Sequence, residues 1–414
     1  MKQFHYWALA ALMLVTGVSC AKIGDIDDDD NGDNPYKALS LSTKSAEFAQ
    51  QGNTFAFELL DRVNQAEKED FIISPLSMQF LLGMLLDGAQ GQTADEICKV
   101  LGYGVGEVKA VNEYAQALMN QLPGLDKKTK LAIANAVVVN KRYSLLSGYA
   151  SDVKQYYGAE VSSLDFSDVT GTKNKINKWA SDHTNGLVPK ILDEVSPDAA
   201  CYIMDALYFK SKWSTPFPQG NTSKETFTTQ NGTQTKVQMM KNTVKTLYLE
   251  NETLQAVTLP YGNKAYYMTV LLPAQGKSLS DVTAFLKSPD WSVSLAKYEV
   301  DLWLPKFKTN YGITLNHILL AMGMPSAFSP VHADFSAMCK NDLYVSFILQ
   351  KAAIKVEEKG TEAAAVSIAG MYEAAALPQE PMKAVFHDDR PFLYLITETS
   401  TGAVLFAGKY NSGK

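Results

Sequence analysis

Residues 359–377 read KGTEAAAVSIAGMYEAAAL, a run of mostly small and uncharged side chains without proline. Its alanine content favours a helix, but Gly360, Gly370 and the β-branched residues weaken that interpretation, and no apolar stripe recurs at i, i+3 and i+4. A long exposed loop is a second interpretation, since loops of this length are usually functional or disordered.

An alternation with a period of two residues gives a third interpretation, a β-strand. The face that begins with Glu362 carries a charged residue, whereas the side chains of the opposite face are uncharged and mostly small, as a strand buried on one side requires. Such a strand could insert into a crowded sheet. The uncharged face comprises Thr361, Ala363, Ala365, Ser367, Ala369 and Met371.

Helical patterns precede strand patterns along the rest of the chain. Apolar residues between 48 and 63 recur at helical spacing, and Ser74 with Pro75 begins a helix over 76–86 that is apolar on nearly every side. Strand-like runs predominate after residue 200 and end in a hairpin. This order, without regular alternation, indicates an α+β fold. No linker or internal repeat divides the body, so one domain over 46–414 is predicted.

The N-terminus predicts an export signal. A basic start precedes an apolar run over 6–18, which is too short for an ordinary membrane-spanning helix. Gly17 and Ser19 before Cys20 resemble a bacterial lipoprotein cleavage site. Residues 1–19 are therefore predicted to be a signal peptide and Cys20 the lipidated first residue of the mature chain.

An acidic spacer follows the signal. Six of the nine residues over 25–33 are Asp, and such a segment repels itself and stays solvated. Residues 20–45 are predicted to be the lipid-anchor cysteine and a linker. We expect an exported protein tethered to the bacterial outer membrane or cell surface, with a secreted or periplasmic protein as the alternative.

Composition and missing motifs exclude several functions. The 414 residues are 46% apolar and 20% charged, with a formal charge of −6, and they carry no basic stripe for nucleic acid. Membrane contact is expected only through the lipid. No H-E-x-x-H, G-x-S-x-G elbow or cluster of Cys and His occurs, so no metal, cofactor or enzymatic activity is predicted. A Ser-His-Asp triad, whose members need not be close in sequence, remains a distant alternative.

The segment around residue 360 matches the hinge motif of a known family, Glu-x-Gly-Thr-Glu-Ala-Ala-Ala. The matching residues are Glu358, Gly360, Thr361, Glu362, Ala363, Ala364 and Ala365. Further segments match in family order: FIISPLSM from Phe71, NKWASDHTNGLVPKIL from Asn177, ALYFKSKWSTPF from Ala206, LPYG from Leu259, LPKFK from Leu304 and DDRPFLYLI from Asp388. Over about residues 46–411 the chain therefore resembles a serpin.

The resemblance implies a fold and a mechanism. The fold is a single, monomeric α+β domain with three β-sheets, about nine helices and an exposed reactive loop over about 359–386. In inhibitory members a target serine protease attacks that loop and forms an acyl-enzyme, and the cut loop then inserts into the main sheet and distorts the protease. A strand paired on both edges gains ten or more hydrogen bonds, on the order of 10 kcal/mol. Because this rivals the stability of a whole domain, the uninserted form must be kinetically trapped.

The hinge composition favours an inhibitor. Bulky or charged residues over 363–365 would slow insertion, and all three are Ala here. We therefore expect a bacterial suicide-substrate inhibitor of serine endopeptidases. The alternative is a non-inhibitory serpin that acts as a binding module and is cleaved as a plain substrate.

Counting along the hinge places the reactive bond between Ala374 and Ala375. In inhibitory relatives about seventeen residues run from the hinge Glu, here Glu358, to the residue before the cut. A small apolar residue suits the shallow pocket of elastase-like proteases, although neighbouring small side chains differ there by only about 1–3 kcal/mol. Chymotrypsin-like, subtilisin-like and cysteine proteases are the other candidate targets. The secondary candidate sites are Met371, Tyr372 and Ala376.

The resemblance also implies a sheet-opening region beneath the inserting strand. It comprises Ser74, Ser77, Asp205, Gln350 and Trp213. Asp205 stands where the family usually has Asn, and Gln350 where it usually has His. Because a carboxylate accepts and an amide donates, we predict a hydrogen bond between the Asp205 and Gln350 side chains.

Overall fold

Eight α-helices occur in the described part of the chain, and six of them end before residue 184. The structure is a computed structural model that describes residues 33–288, 291–361 and 382–413. The α+β class is confirmed, with eight helices where the resemblance predicted about nine. The helices are α1 (Thr43–Ala66), α2 (Pro75–Gly88), α3 (Gly91–Leu101), α4 (Val108–Gln121), α5 (Ser147–Tyr157), α6 (Val169–His183), α7 (Leu279–Leu286) and α8 (Asn316–Met322). Short 3₁₀ helices lie at Leu122–Gly124, Gln219–Asn221, Trp291–Ser294 and Ser326–Phe328.

Fifteen strands are described, and they form a six-stranded and a nine-stranded hydrogen-bonded sheet. The strands are β1 (Phe71–Ile73), β2 (Lys130–Asn140), β3 (Glu160–Leu164), β4 (Cys201–Lys212), β5 (Ser223–Thr228), β6 (Gln234–Glu250), β7 (Leu254–Tyr261), β8 (Tyr266–Pro273), β9 (Ala296–Pro305), β10 (Phe307–Thr314), β11 (Leu349–Glu357), β12 (Gly360–Thr361), β13 (Lys383–His387), β14 (Phe392–Glu398) and β15 (Val404–Tyr410).

The nine-stranded sheet divides at β6 into two groups of strands. Its order is β1-β15-β14-β8-β7-β6-β9-β13, and β5 also pairs with β6. Strand β6 has 17 residues, of which the last three pair with β7 and earlier ones pair with β5 and β9. Counted separately, the two groups and the six-stranded sheet make up the three sheets that the resemblance predicted.

Helix α2 lies between the two sheets because nearly all of its side chains are apolar. Ser74 caps the helix, since its Oγ accepts a hydrogen bond from the backbone N–H of Ser77 (3.2 Å), and Pro75 occupies the first turn. Thirteen of its 14 residues are buried. The helix packs against β4 of the six-stranded sheet and β15 of the other, so it connects the two sheets.

The predicted linker ends in contact with the body of the protein. Asn34 is only 3% exposed, and its side-chain amide donates to Asp126 Oδ1 (2.8 Å) while its oxygen accepts from the backbone N–H of Lys127 (2.9 Å). Asn34, which directly follows the acidic residues 25–33, is therefore docked on the body of the protein.

The six-stranded sheet contains one very short strand at its centre. The order is β10-β11-β12-β4-β2-β3, and β12 is antiparallel to both neighbours, so β4 and β11 are parallel to each other. Strand β12 has two residues, whereas β4 has 12 and β11 has nine. Within the described ranges, β4 and β11 are joined only through β12, at their C-terminal ends.

Candidate hinge and sheet-opening site

The hinge is the point at which the chain leaves β11, turns and begins to run back between β11 and β4. Gly360 pairs with Glu357 on one side and Lys212 on the other, and Thr361 pairs with Val356 and Ser211. Two residues of the hinge motif are thus already part of the sheet. Glu362, Ala363, Ala364 and Ala365, the rest of the motif, lie outside the described residues.

Gly360 occupies a position that no other residue fits. Its φ is +147°, a conformation that L side chains rarely adopt, and an added Cβ would lie 2.1 Å from the carbonyl oxygen of Ser211. Because the obstructing atom belongs to the backbone, no side-chain rearrangement can relieve the clash. The glycine therefore lets the chain turn tightly enough for Thr361 to join β4.

Thr361 is held on the buried face of the sheet. It is 3% exposed, and its Oγ1 shares a hydrogen bond of 2.5 Å with the hydroxyl of Tyr261 at the end of β7. The Tyr261 ring in turn stacks on Trp213, with centroids 4.4 Å apart and planes 16° from parallel. The hinge is thereby connected to the nine-stranded sheet.

Trp213 holds the backbone just before the hinge. Its indole N–H donates to the carbonyl of Glu357 (2.9 Å), and its backbone N–H donates to the carbonyl of Lys359 (3.1 Å). The ring is 4% exposed. Trp213 therefore satisfies two carbonyls at a turn where the ladder between strands is interrupted.

Glu358 is a largely buried carboxylate with two partners. Lys306 forms an ion pair with it (2.9 Å), and the Thr222 hydroxyl donates to its Oε1 (2.9 Å). Burial by itself would raise the pKa of Glu358, but the Lys306 charge and the hydrogen bonds outweigh it and hold that pKa below its usual value. The carboxylate stays ionised at neutral pH and anchors the start of the hinge.

Gln350 binds the first residue before α2, not Asp205. Its Oε1 accepts from the backbone N–H of Ser74 (3.0 Å), and its Nε2 donates to the Ser74 carbonyl (2.8 Å). The Ser74 hydroxyl donates to the carbonyl of Leu405 (2.7 Å). The predicted hydrogen bond between Asp205 and Gln350 is therefore wrong, because a backbone N–H and carbonyl together satisfy both ends of the amide.

Asp205 is left without a hydrogen-bond partner. Both of its carboxyl oxygens are buried and make no hydrogen bond of acceptable geometry. Burial raises the pKa of Asp205 to about 8, and the nearby Ser77 hydroxyl offsets this only in part. Unpaired buried polar groups are rare in folded proteins.

Two spaces lie between β4 and β11 beyond Thr361. The smaller, about 10 Å³, is lined by Thr361, Phe209 of β4 and Ile354 of β11. The larger, about 120 Å³, is lined by both strands and by α2, and includes Asp205 and Gln350. We call the region from Thr361 to these two residues the central cleft.

Several predicted site residues lie outside the described residues. They are Cys20, Met371, Tyr372, Ala374, Ala375 and Ala376. Over residues 33–288, 291–361 and 382–413, no group of three or more His, Cys, Asp or Glu could hold a metal ion. No helix in these ranges combines the length and hydrophobicity needed to cross a bilayer.

Three contact residues of the hinge were not predicted from the sequence. They are Tyr261, Thr222 and Lys306. Tyr261 belongs to the LPYG segment and Lys306 to the LPKFK segment, so both lie in segments that resemble the family but carry no predicted role. Thr222 gave no signal, because it lies in an irregular connection before β5.

Comparison with known proteins identifies the family. A family model described as Serpin (serine protease inhibitor) matches residues 50–413. The leukocyte elastase inhibitor of Xenopus laevis is 30% identical over 376 residues, which cover 86% of this chain and 97% of that protein. The native-state crystal structure of the thermophilic serpin tengpin is 29% identical with a TM-score of 0.80, covering 92% of this chain and 97% of that one. Thyroxine-binding globulin in complex with thyroxine is 30% identical with a TM-score of 0.78, covering 88% and 98%. The chain belongs to the serpin family.

Proposed function

We propose that this serpin inhibits serine endopeptidases as a suicide substrate. The observation that carries the proposal is strand β12, in which Gly360 and Thr361 are already hydrogen-bonded between β4 and β11. The central cleft continues from Thr361 between the same two strands. A cut loop can extend β12 along this cleft without first breaking a β4–β11 ladder among the described residues.

The reaction begins as ordinary proteolysis. The serine Oγ of the protease attacks the carbonyl carbon of Ala374, the bond to the nitrogen of Ala375 breaks, and that nitrogen leaves as an amine after taking a proton. The new ester keeps the protease attached to the loop. Insertion then moves the ester away from the rest of the protease's catalytic groups, so that water does not complete the hydrolysis. The driving force is the two-sided pairing of the new strand, on the order of 10 kcal/mol.

An elastase-like enzyme is the target that the loop sequence supports best. Ala374 and Ala375 offer small side chains on both sides of the proposed bond, and a similar protein is named a leukocyte elastase inhibitor. Met371, Tyr372 and Ala376 remain secondary sites. The N-terminal sequence adds the proposal that Cys20 carries lipid, so that the inhibitor would act at the cell surface.

A covalent-complex assay tests the function. The purified protein is mixed with elastase, chymotrypsin, trypsin, subtilisin and a papain-like protease, and a complex that resists boiling in detergent is sought. We expect such a complex with elastase. Mass spectrometry should show that the C-terminal peptide released from it begins at Ala375. Cleavage without any complex would contradict the proposal.

A pair of variants ties the complex to the hinge. Thr361→Arg puts a charged chain at a 3% exposed position of β12, which should block insertion and convert the protein into a plain substrate. Thr314→Arg makes the same change at an exposed position of β10 in the same sheet and should leave the complex intact. Equal inhibition by both variants would contradict the role of the hinge.

A non-inhibitory binding protein is the second candidate function. It is favoured by the similarity to thyroxine-binding globulin, a serpin whose solved structure holds thyroxine. In that case the loop is cleaved by every protease that reaches it and no covalent complex forms. The same assay therefore separates the two candidates.

A further inference from the structure

We propose that the larger part of the central cleft is a binding site for a small organic cation with an apolar body, whose positive charge pairs with Asp205. The bound cation occupies the space between β4 and β11 and thereby hinders insertion of the cut loop. The effect on insertion rests on the proposed function, whereas binding of the cation does not.

The cavity is a passage between the two strands with a different wall on each side. Side chains alternate along β4, so Tyr202 and Met204 join a small apolar cluster with Ile191, whereas Asp205 lies on the other face, near Ser77 of α2. The cavity volume is about 120 Å³, and apolar cavities of this order take up a benzene molecule. A ligand with one aromatic ring therefore fits.

The lining suits an apolar body. Met78 and Leu81 of α2 and Ile348 before β11 are buried and line the cavity. Tyr344 and Phe347 also line it, but they are 49% and 37% exposed, so they mark its entrance from solvent. Because the faces of aromatic rings attract organic cations, the entrance and the interior favour the same class of ligand.

Asp205 is the group that selects a positive charge. Both of its carboxyl oxygens are buried without a hydrogen-bond partner, and the Gln350 amide across the cleft is bound to the backbone of Ser74. Lys351, the one cationic side chain among the described residues of the lining, pairs with Asp193 (3.5 Å). A buried carboxylate needs an opposite charge. A water molecule supplies only hydrogen bonds, whereas a ligand ammonium supplies hydrogen bonds and the charge.

The bound cation and the proton of Asp205 exclude each other. Burial raises the pKa of Asp205 to about 8, so below that pH the cation must displace a proton. The affinity should therefore rise about tenfold per pH unit between pH 5 and 7. The other titratable side chains of the lining are Cys201, Tyr202, Tyr344 and Lys351. None of them is a carboxyl or a histidine, the kinds of side chain that change charge below pH 7.

Isothermal titration calorimetry of the intact protein tests the binding. Benzylamine is the probe, and benzyl alcohol and benzoate keep the ring but remove or reverse the charge. We expect benzylamine alone to bind, about tenfold more tightly at pH 7 than at pH 6, with release of about one proton.

Two matched variants connect the binding to the buried carboxyl. Asp205→Asn should weaken binding of benzylamine at least about tenfold, whereas Asp342→Asn, which removes an exposed carboxyl, should not change it. No binding of benzylamine, equal affinity for the amine and the alcohol, or an unchanged affinity in Asp205→Asn would overturn the inference.

The methyl groups of isotope-labelled methionine locate the ligand by nuclear magnetic resonance. Met78, Met204 and Met338 line the cavity, whereas Met239 and Met268 are buried but do not line it. Benzylamine should shift the signals of the first three methyl groups and leave the other two unchanged. Shifts confined to methionines outside the lining would overturn the assignment of the site.

A protease assay tests the effect on insertion separately. Saturating benzylamine should raise the ratio of plain cleavage to covalent complex with elastase at least about fivefold for wild type and leave it unchanged for Asp205→Asn. Elastase activity on a small peptide, measured in the same benzylamine, corrects for any effect on the protease. An unchanged ratio for wild type with benzylamine bound would overturn the effect on insertion. Absence of any complex without benzylamine would instead contradict the proposed function, and the calorimetric result would stand.

Discussion

The buried carboxyl of Asp205 should make the stability of this serpin depend on pH. Its pKa is about 8 in the folded protein and about 3.9 in an unfolded chain. Between these values the folded protein holds a proton that the unfolded chain has released. The contribution to stability is therefore complete below about pH 4 and is lost as the pH rises towards 8.

The size of the effect follows from the single proton that Asp205 takes up when the chain folds. Each pH unit in this window changes the free energy of unfolding by about 1.4 kcal/mol, so the loss between pH 5 and 7 is about 3 kcal/mol. Asp205→Asn keeps the shape of the side chain but does not titrate. Relative to wild type, the variant should therefore gain about 3 kcal/mol over the same two units.

Guanidinium unfolding of the intact protein at pH 5, 6 and 7 measures this difference. Subtracting the variant from wild type cancels other groups, including Asp388, whose complete burial also raises its pKa. Asp342→Asn changes an exposed carboxyl to the same amide and serves as the matched control. Parallel curves for wild type and Asp205→Asn would refute the reasoning, because they would mean that the carboxyl does not retain its proton on folding.

Three further predictions concern the hinge. Gly360→Ala should expel β12 from the sheet, because the new Cβ would clash with the Ser211 backbone. Strain of about 1–3 kcal/mol should raise the ratio of plain cleavage to covalent complex roughly tenfold or more. Gly106→Ala is the control and should not change that ratio, because Gly106 also has a positive φ but nothing lies within 4 Å of its added Cβ. Lys306→Met removes the partner that lowers the pKa of Glu358, so it should cost about 1 kcal/mol of unfolding free energy at pH 7, and this cost should shrink as the pH falls through that lowered pKa and the carboxyl takes up a proton. A loss that is the same at every pH would indicate a packing effect. Tyr261→Phe removes the hydroxyl bonded to Thr361, and hydrogen exchange of the Thr361 amide should become about fivefold faster, while Tyr298→Phe should leave it unchanged.

The fold class could be predicted from the sequence because it depends on local patterns. Ser74 and Pro75 mark the start of α2 with chemistry that needs no distant partner. The apolar character of that helix on every side indicates that it lies between layers. The alternation after Lys359 likewise predicts a strand, because side-chain direction in a strand has a fixed period; Gly360 and Thr361 are the part of it that the structure describes.

The contacts of the site depend on distances that the sequence does not contain. Gln350 and Asp205 are chemically complementary, yet the amide bonds to the backbone of Ser74, which is 276 positions away. Lys306 binds Glu358 because β10 and β11 are neighbours and the chain turns after β11. Packing decides which of several suitable partners a side chain meets. The motifs therefore predict which segments form the site but not which side chains bond to each other.

The two hydrogen bonds between Gln350 and Ser74 bear on which strands can separate when the six-stranded sheet opens. Two hydrogen bonds fasten β11 to the start of α2, and the Ser74 hydroxyl fastens that point to β15. No equivalent bond holds the side chain of Asp205. If a further strand enters between β4 and β11, we therefore expect β11 to stay with the helix and the nine-stranded sheet, and β4 to move together with its ladder partners β2 and β3.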